Sequence, residues 1–179
     1  PTVVKIERIF MLDLVLKRRS VRQYLSKEIN EADLKDILAA GLLAPTSMNR
    51  RPWRFYVIKK KEVLEKLADV KKAGSAMLKN APVAIAVVVD EDRTATWIED
   101  SSSALSFMQL EAADKNIGSC WVQIRLRSNE EVMSETKVRE ILDLSDKDRI
   151  VGILALGYPE NEVKPHTLDE IDWSKVQEV

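Results

Sequence analysis

Glycine is scarce in this chain, with five residues in 179, and none falls in a G-x-G-x-x-G or G-x-x-x-x-G-K-[ST] arrangement. The two commonest glycine-rich loops that cradle nucleotide phosphates are therefore absent. Cysteine and histidine occur once each, as Cys120 and His166. One cysteine closes no internal disulfide, and one Cys with one His builds no metal knuckle. Any Ser-His-Asp or Cys-His relay would have to use His166. That residue lies in a polar C-terminal stretch, where an exposed or anion-touching role is expected before a general base. Cys120 has no base among its neighbours, so it reads as a small buried hydrophobe rather than a nucleophile. No apolar run approaches the ~20 residues of a membrane span, and no charged-then-apolar leader is visible. The expected address is the cytoplasm. Net charge is only −1, so the molecule has no strong basic field of the kind a dedicated nucleic-acid binder shows.

What is present fits one globular domain over residues 1–179. Hydrophobic residues make up 45% and charged residues 32%, too apolar for a disordered chain and enough to bury a core. A helix is expected over 9–17, running into Arg18-Arg19-Ser20-Val21-Arg22. A second helix opens at Asn30 as N-cap, carries Leu34, Ile37, Leu38, Gly41 and Leu42 on one face, and stops before Pro45. The aromatic and β-branched run Trp53–Ile58 reads as a strand, and Lys60–Val70 as an amphipathic helix. The unbroken apolar run Val83–Val89 reads as a strand covered on both faces. A long helix is expected over Thr96–Asn116, with Leu105, Met108 and Ala112 on one face and Gly118 as a left-handed cap beyond it. Strands follow at Ser119–Ile124 and Arg149–Leu156. Between them Ser128 with Glu131 reads as a capping box opening helical segments out to Leu144. Strands separated by helices imply a layered α/β or α+β domain. The polar tail over 160–179, with Trp173 as its apolar anchor, is expected to pack on a partner subunit.

Three segments could carry chemistry. Arg18-Arg19-Ser20-Val21-Arg22 offers three guanidinium forks and a hydroxyl within five residues, which suits a phosphate. It also reads as a solvated helix end. Ala44-Pro45-Thr46-Ser47-Met48-Asn49-Arg50-Arg51-Pro52-Trp53 is a rigid polar loop that could present amides and hydroxyls to a heteroaromatic edge, or merely connect a helix to a strand. Gly118-Ser119-Cys120-Trp121-Val122-Gln123 places Trp121 in the core or at an interface. The acidic run Asp90-Glu91-Asp92 reads as a solvated turn before a cation site. A reading of another class takes Arg18, Arg19, Arg22, Arg50, Arg51 and Arg54 with Trp53 and Phe55 as a basic, aromatic nucleic-acid patch. Net charge and the strand alternation of the two rings argue against it.

Together these segments resemble the nitroreductase family of flavin enzymes. Arg18-Arg19-Ser20-Val21-Arg22 is similar to the family's R-[RH]-S-x-[RK] signature. Ala44-Pro45-Thr46-Ser47-Met48-Asn49-Arg50-Arg51-Pro52-Trp53-Arg54-Phe55 is similar to A-P-S-x-x-N-x-Q-P-W-x-F. Gly118-Ser119-Cys120-Trp121 resembles the stretch before the flavin-contacting strand end. Leu156-Gly157-Tyr158-Pro159, followed by Lys164-Pro165, resembles the closing G-Y-P and K-P elements.

The resemblance implies an α+β fold with a mixed central sheet flanked by helices, and an intertwined homodimer with one FMN at each of two interface sites. It further implies hydride transfer from NADH or NADPH through the flavin to a nitroaromatic, quinone or similar acceptor, with dehalogenating or flavin-modifying relatives as the alternative. No side-chain acid or base is expected to be essential, and no metal, membrane or nucleic acid is implied. By position, Arg18, Arg19, Ser20 and Arg22 would hold the FMN phosphate, ribityl chain and ring edge. Pro45, Thr46, Ser47 and Asn49 would reach the same flavin from the other subunit. Gln123 and Ile124 would approach its N5 through backbone groups, and Lys164 and His166 would meet the phosphate. Arg51 departs from the usual Gln, Gln123-Ile124-Arg125 departs from the usual small Gly-containing run, and the chain is short enough to lack a substrate-covering insertion.

Overall fold

Alternation along the strands decides which layer each face meets. In β2 (Val83–Asp90), Val83, Ile85, Val87 and Val89 enter one apolar cluster, while Ala84, Ala86 and Val88 enter another. A period of two with both faces apolar is why this stretch reads as one unbroken hydrophobic run. The computed structural model describes residues 11–179, and within it β2 lies inside a four-stranded sheet. The order is β1 (Trp53–Ile58), β2, β4 (Asp148–Gly157), β3 (Gly118–Gln123), and all three pairings are antiparallel. One parallel contact, the isolated bridge between Ser20 and Ser119, extends it at the β3 edge.

Helices cover both faces, as expected of the α+β class. On one side lie α2 (Glu31–Leu42) and α4 (Trp97–Asp114). On the other lie α3 (Lys61–Ala68), a 3-10 turn over Ala76–Asn80, and α5 (Ser134–Leu142). Leu105, Met108 and Ala112 of α4 are fully buried; each large apolar side chain so buried contributes about 1.5–3 kcal/mol. The Asn30 side chain accepts from the Ala32 amide at 2.8 Å, the cap expected for α2. Leu42 falls outside the buried face and is exposed. The first helix is present as α1 (Met11–Lys17), with residues 9 and 10 outside the described part.

A bulge in β4 shapes the end of β3. Ala86 pairs with Ile153 and Val88 with Ile150, so β4 advances one residue more than β2. Ile150 and Ile153 therefore share a face, as an inserted residue requires. The bulged Val151 carbonyl accepts both the Ile124 amide, at 3.0 Å, and the Arg125 amide, at 3.1 Å. This turns the chain off the sheet directly after Gln123.

Two local expectations are corrected. Gly118 is not a left-handed cap: it is the first residue of β3, and the left-handed residue after α4 is Asn116, at φ 57. Ser128 and Glu131 do not open a helix. Asn129 closes that segment as a turn, its side chain accepting from the Glu131 and Val132 amides, and α5 begins at Ser134. The true capping box lies in the tail, between Thr167 and Glu170.

The basic, aromatic surface does not form. Trp53 is 7% exposed and stacks with Phe55 at 6.0 Å between centroids, and Arg54 is ion-paired with buried Asp148. Among the described residues no helix is long and apolar enough to cross a membrane, and no group of three or more His, Cys, Asp or Glu is placed to hold a metal.

Candidate functional site

The basic segment leaves α1 and runs along the free edge of β3. The Val21 amide donates to the Ser119 carbonyl at 2.9 Å. Val21 lies so close over Gly118 that a Cβ there would come within 2.8 Å of it. An extended segment alternates its side chains, so with Val21 turned into the core, Ser20 and Arg22 face the solvent side. The Tyr24 hydroxyl donates to the Val21 carbonyl at 2.6 Å, and burial pushes its pKa well above the ordinary tyrosine value. Arg18 reaches Gln109 of α4 at 3.4 Å, and Arg19 donates to the Lys164 carbonyl at 2.9 Å. Two adjoining clefts flank the segment. One, of about 380 Å³, includes Arg18, Arg19 and Ser119 in its walls. The other, of about 530 Å³, includes Ser20, Arg22, Gly74 and Met77. Both are of a size that suits a cofactor.

Lys71 lies beside this trough, next to Gly74 of its wall, and the sequence reading did not single it out. Its ammonium donates to the Gln123 carbonyl at 3.2 Å. It passes beside Gly74, whose φ of +81 few other residues adopt and where an added Cβ would lie 3.3 Å from the Lys71 nitrogen. Burial lowers the Lys71 pKa, and the Arg127 charge lowers it further. Cys120 is buried, and that burial raises its thiol pKa against the charges of Arg22, Lys71 and Arg18.

The cations along this edge are satisfied, among the described residues, without carboxylates. Arg18, Arg19, Arg22, Lys71 and Arg127 donate to a side-chain amide or to backbone carbonyls, and Arg125 lies over the Trp97 ring at 5.8 Å. Among the described residues none of the six makes an ion pair with a carboxylate. Several other cations do find acids: Arg149 takes Glu91 and Glu135, and Lys115 takes Asp36 and Glu111. The acidic run Asp90-Glu91-Asp92 is itself tied up with Arg93, Arg149 and Lys147.

The proline-flanked loop is built as a rigid platform. The Ser47 amide donates at 2.9 Å to Asp100, a buried carboxylate that also accepts from Thr94 and Thr96. Met48, Asn49 and Arg51 have positive φ. The Arg51 amide donates to Thr46 Oγ1, and its guanidinium folds back onto Asn49 at 3.0 Å. Pro45, Met48 and Asn49 are exposed. This loop is anchored at Asp100 and the basic segment at Gln109. Nine residues of α4 separate the two anchors, roughly 14 Å of helix axis at 1.5 Å per residue.

The remaining candidates divide. The Gln123 carbonyl meets Lys71, while its side chain is held between Trp121 Nε1 and the Arg125 carbonyl. The Ile124 side chain is fully buried, its amide donates to Val151, and its carbonyl accepts from Arg127. It acts as the pivot of the turn. In the tail, the His166 amide donates to the Leu16 carbonyl at 2.8 Å, and His166 Nδ1 lies 2.6 Å from Glu170. The first part of the tail is thus bonded to its own chain, beside Arg19, while Trp173 remains 71% exposed.

The nitroreductase family model matches residues 15–74 and 69–158. Among solved structures, an FMN-dependent nitroreductase from Clostridium difficile R20291 shares 38% identity at a TM-score of 0.90, covering 93% of this chain and 97% of that one. An Archaeoglobus fulgidus protein with the provisional name NADH dehydrogenase/NAD(P)H nitroreductase is 33% identical over 163 residues, 89% of this chain and 91% of the relative. The NADH dehydrogenase of Thermus thermophilus is 27% identical over 179 aligned positions, 84% of this chain and 87% of that protein. With the family model spanning the sheet, the basic segment and the proline-flanked loop, the chain belongs to the nitroreductase family.

Proposed function

We propose that this chain is an FMN-dependent oxidoreductase that takes a hydride from NADH or NADPH and delivers it to a small organic acceptor such as a nitroaromatic or quinone. The observation that carries the reading is the row of cations along the β3 edge with no carboxylate partner among the described residues. A phosphomonoester brings about −1.5 to −2 charge, and a donor set of this kind satisfies it. Arg18, Arg19 and Ser20 would hold the phosphate, with the Lys164 ammonium and His166 Nε2 beside them. Arg22 and Lys71 would face the ribityl chain and the polar edge of the ring. The Gln123 backbone would border the reacting face. FMN when bound supplies the hydride chemistry, and the protein supplies binding and orientation.

Pro45, Thr46, Ser47 and Asn49 would reach the flavin from a second copy of the chain, because within one protomer they are anchored about 14 Å along α4 from Arg18. The similar C. difficile protein is named as FMN-dependent, which supports the same cofactor here. The test is direct. Purified protein should take up FMN stoichiometrically, show an oxidised-flavin spectrum, and lose it on addition of NADH or NADPH. It should then oxidise the nicotinamide in the presence of nitroaromatics or quinones. Protein that stays colourless with excess FMN, or reduces no acceptor with either nicotinamide, would overturn the reading.

A further inference from the structure

The trough carries more positive charge than a phosphate uses. Arg18 and Arg19, with Lys164 and His166 from the tail, are enough for that group. Arg127 lies beyond them, at the other end of β3. Its backbone is fixed on both sides: its amide donates to the Ile124 carbonyl at 3.1 Å, and its carbonyl accepts from the Ser134 amide at 2.8 Å. Between those points Leu126 adopts a left-handed φ of 58. The neighbouring Ser128 carbonyl accepts from the Lys72 amide at 3.1 Å, which brings this turn alongside Lys71. The Arg127 guanidinium itself is exposed and makes one long bond, to the Leu126 carbonyl at 3.4 Å. Glu130, the acid nearby, is already paired with Lys72.

Two cations are thus brought alongside each other, Arg127 exposed and Lys71 half-buried on the Gln123 carbonyl, and among the described residues neither makes an ion pair with a carboxylate. Like charges fixed close together are unfavourable until an anion joins them. An arginine fork suits a carboxylate in particular. We infer that the acceptor reduced by this enzyme carries a carboxylate, and that Arg127 beside Lys71 selects it. The inference rests on the flavoenzyme reading above and names the substrate class of that same site.

The experiment uses FMN-loaded wild type, Arg127→Ala and Arg127→Lys, with 4-nitrobenzoate and its neutral counterpart 4-nitrobenzamide. Wild type should favour the benzoate, and Arg127→Ala should raise its KM roughly ten- to a hundredfold, the value of a charge-assisted fork. The KM for the benzamide should change less than twofold, and Arg127→Lys should restore part of the benzoate preference. A second readout needs no turnover: binding of non-reducible benzoate, followed by perturbation of the flavin absorbance, should weaken in Arg127→Ala and with added salt. Equal loss on both substrates, or unchanged benzoate binding in an FMN-loaded variant, would overturn the inference and leave the flavoenzyme reading standing. A KM rise confined to NADPH would move the anion from the acceptor to the donor and would also overturn it. Failure of wild type to take up FMN would overturn both.

Discussion

The Lys71 ammonium donates to the Gln123 carbonyl at 3.2 Å, tying the loop after α3 to the outer edge of β3. The contact holds a half-buried cation beside Gly74 of the trough wall at a cost to the fold. Burial first, and then the Arg127 charge, lower the Lys71 pKa, so the unfolded chain holds that proton more tightly than the folded one. Below the lowered value both states are charged and the fold carries the whole penalty. As pH climbs from there toward the ordinary lysine range, stability rises and then levels.

Lys71→Met removes that penalty while keeping most of the side-chain volume. The apoprotein should melt higher than wild type at pH 7, and its stability should lose the rise above neutrality. FMN affinity should fall about tenfold, the value of one charge-assisted bond. Calorimetry of the apoprotein across pH, with FMN titrations, checks both signs. A variant that melts lower and binds FMN as wild type would show that Lys71 only ties the loop down.

Arg18→Ala tests the phosphate end. It removes a fork whose bonds are worth roughly 1.5–3 kcal/mol each, so FMN should bind ten- to a hundredfold or more weakly. Fluorescence quenching measures the affinity, and circular dichroism confirms the fold. Unchanged affinity in folded Arg18→Ala would mark the basic cluster as a solvated helix end.

Gly118→Ala tests the placement of that cluster without removing a charge. The new Cβ would lie 2.8 Å from Val21, whose amide bond to Ser119 holds the segment against β3. Val21 must shift, at a cost of about 1–3 kcal/mol, and Ser20 and Arg22 move with it. Urea unfolding should show the loss of stability. FMN affinity should fall in the fraction that stays folded, whereas an undisturbed affinity would mean the segment adjusts independently of the strand.

Legibility in the sequence follows how local each cause is. The β2 run shows plainly because burial on both faces leaves no polar position in it. The Asn30 cap shows because its bond spans two residues. Gly118 looked like a helix cap because sequence cannot reveal that Val21, almost a hundred positions earlier, lies over it. Ser128 and Glu131 have capping-box spacing, yet Asn129 between them takes the amides first. The Arg18–Arg22 and Pro45–Asn49 segments were visible as concentrated polar chemistry. Lys71 was not, since it is one lysine among many until the fold brings it to Gln123.

The second copy is the last prediction. Met108 on α4 is fully buried, and the adjacent Phe107 is 43% exposed. α1 packs on α4 and leaves Met11, Leu12 and Val15 exposed, and Trp173 and Val176 stand out of the tail. A monomer rarely leaves so many large apolar groups in water without use. With the Ser47–Asn49 platform held away from Arg18 in its own protomer, a dimer that covers these side chains could also bring the platform to the flavin. Phe107→Glu would force a charge into that interface, an expense that only dissociation relieves. Sedimentation should show a wild-type dimer and a largely monomeric variant. FMN should bind the variant at least tenfold more weakly, and wild-type FMN affinity should fall on dilution below the dimer dissociation constant. Wild type that is monomeric and still binds FMN tightly would return the Pro45–Asn49 loop to the role of a connection between α2 and β1.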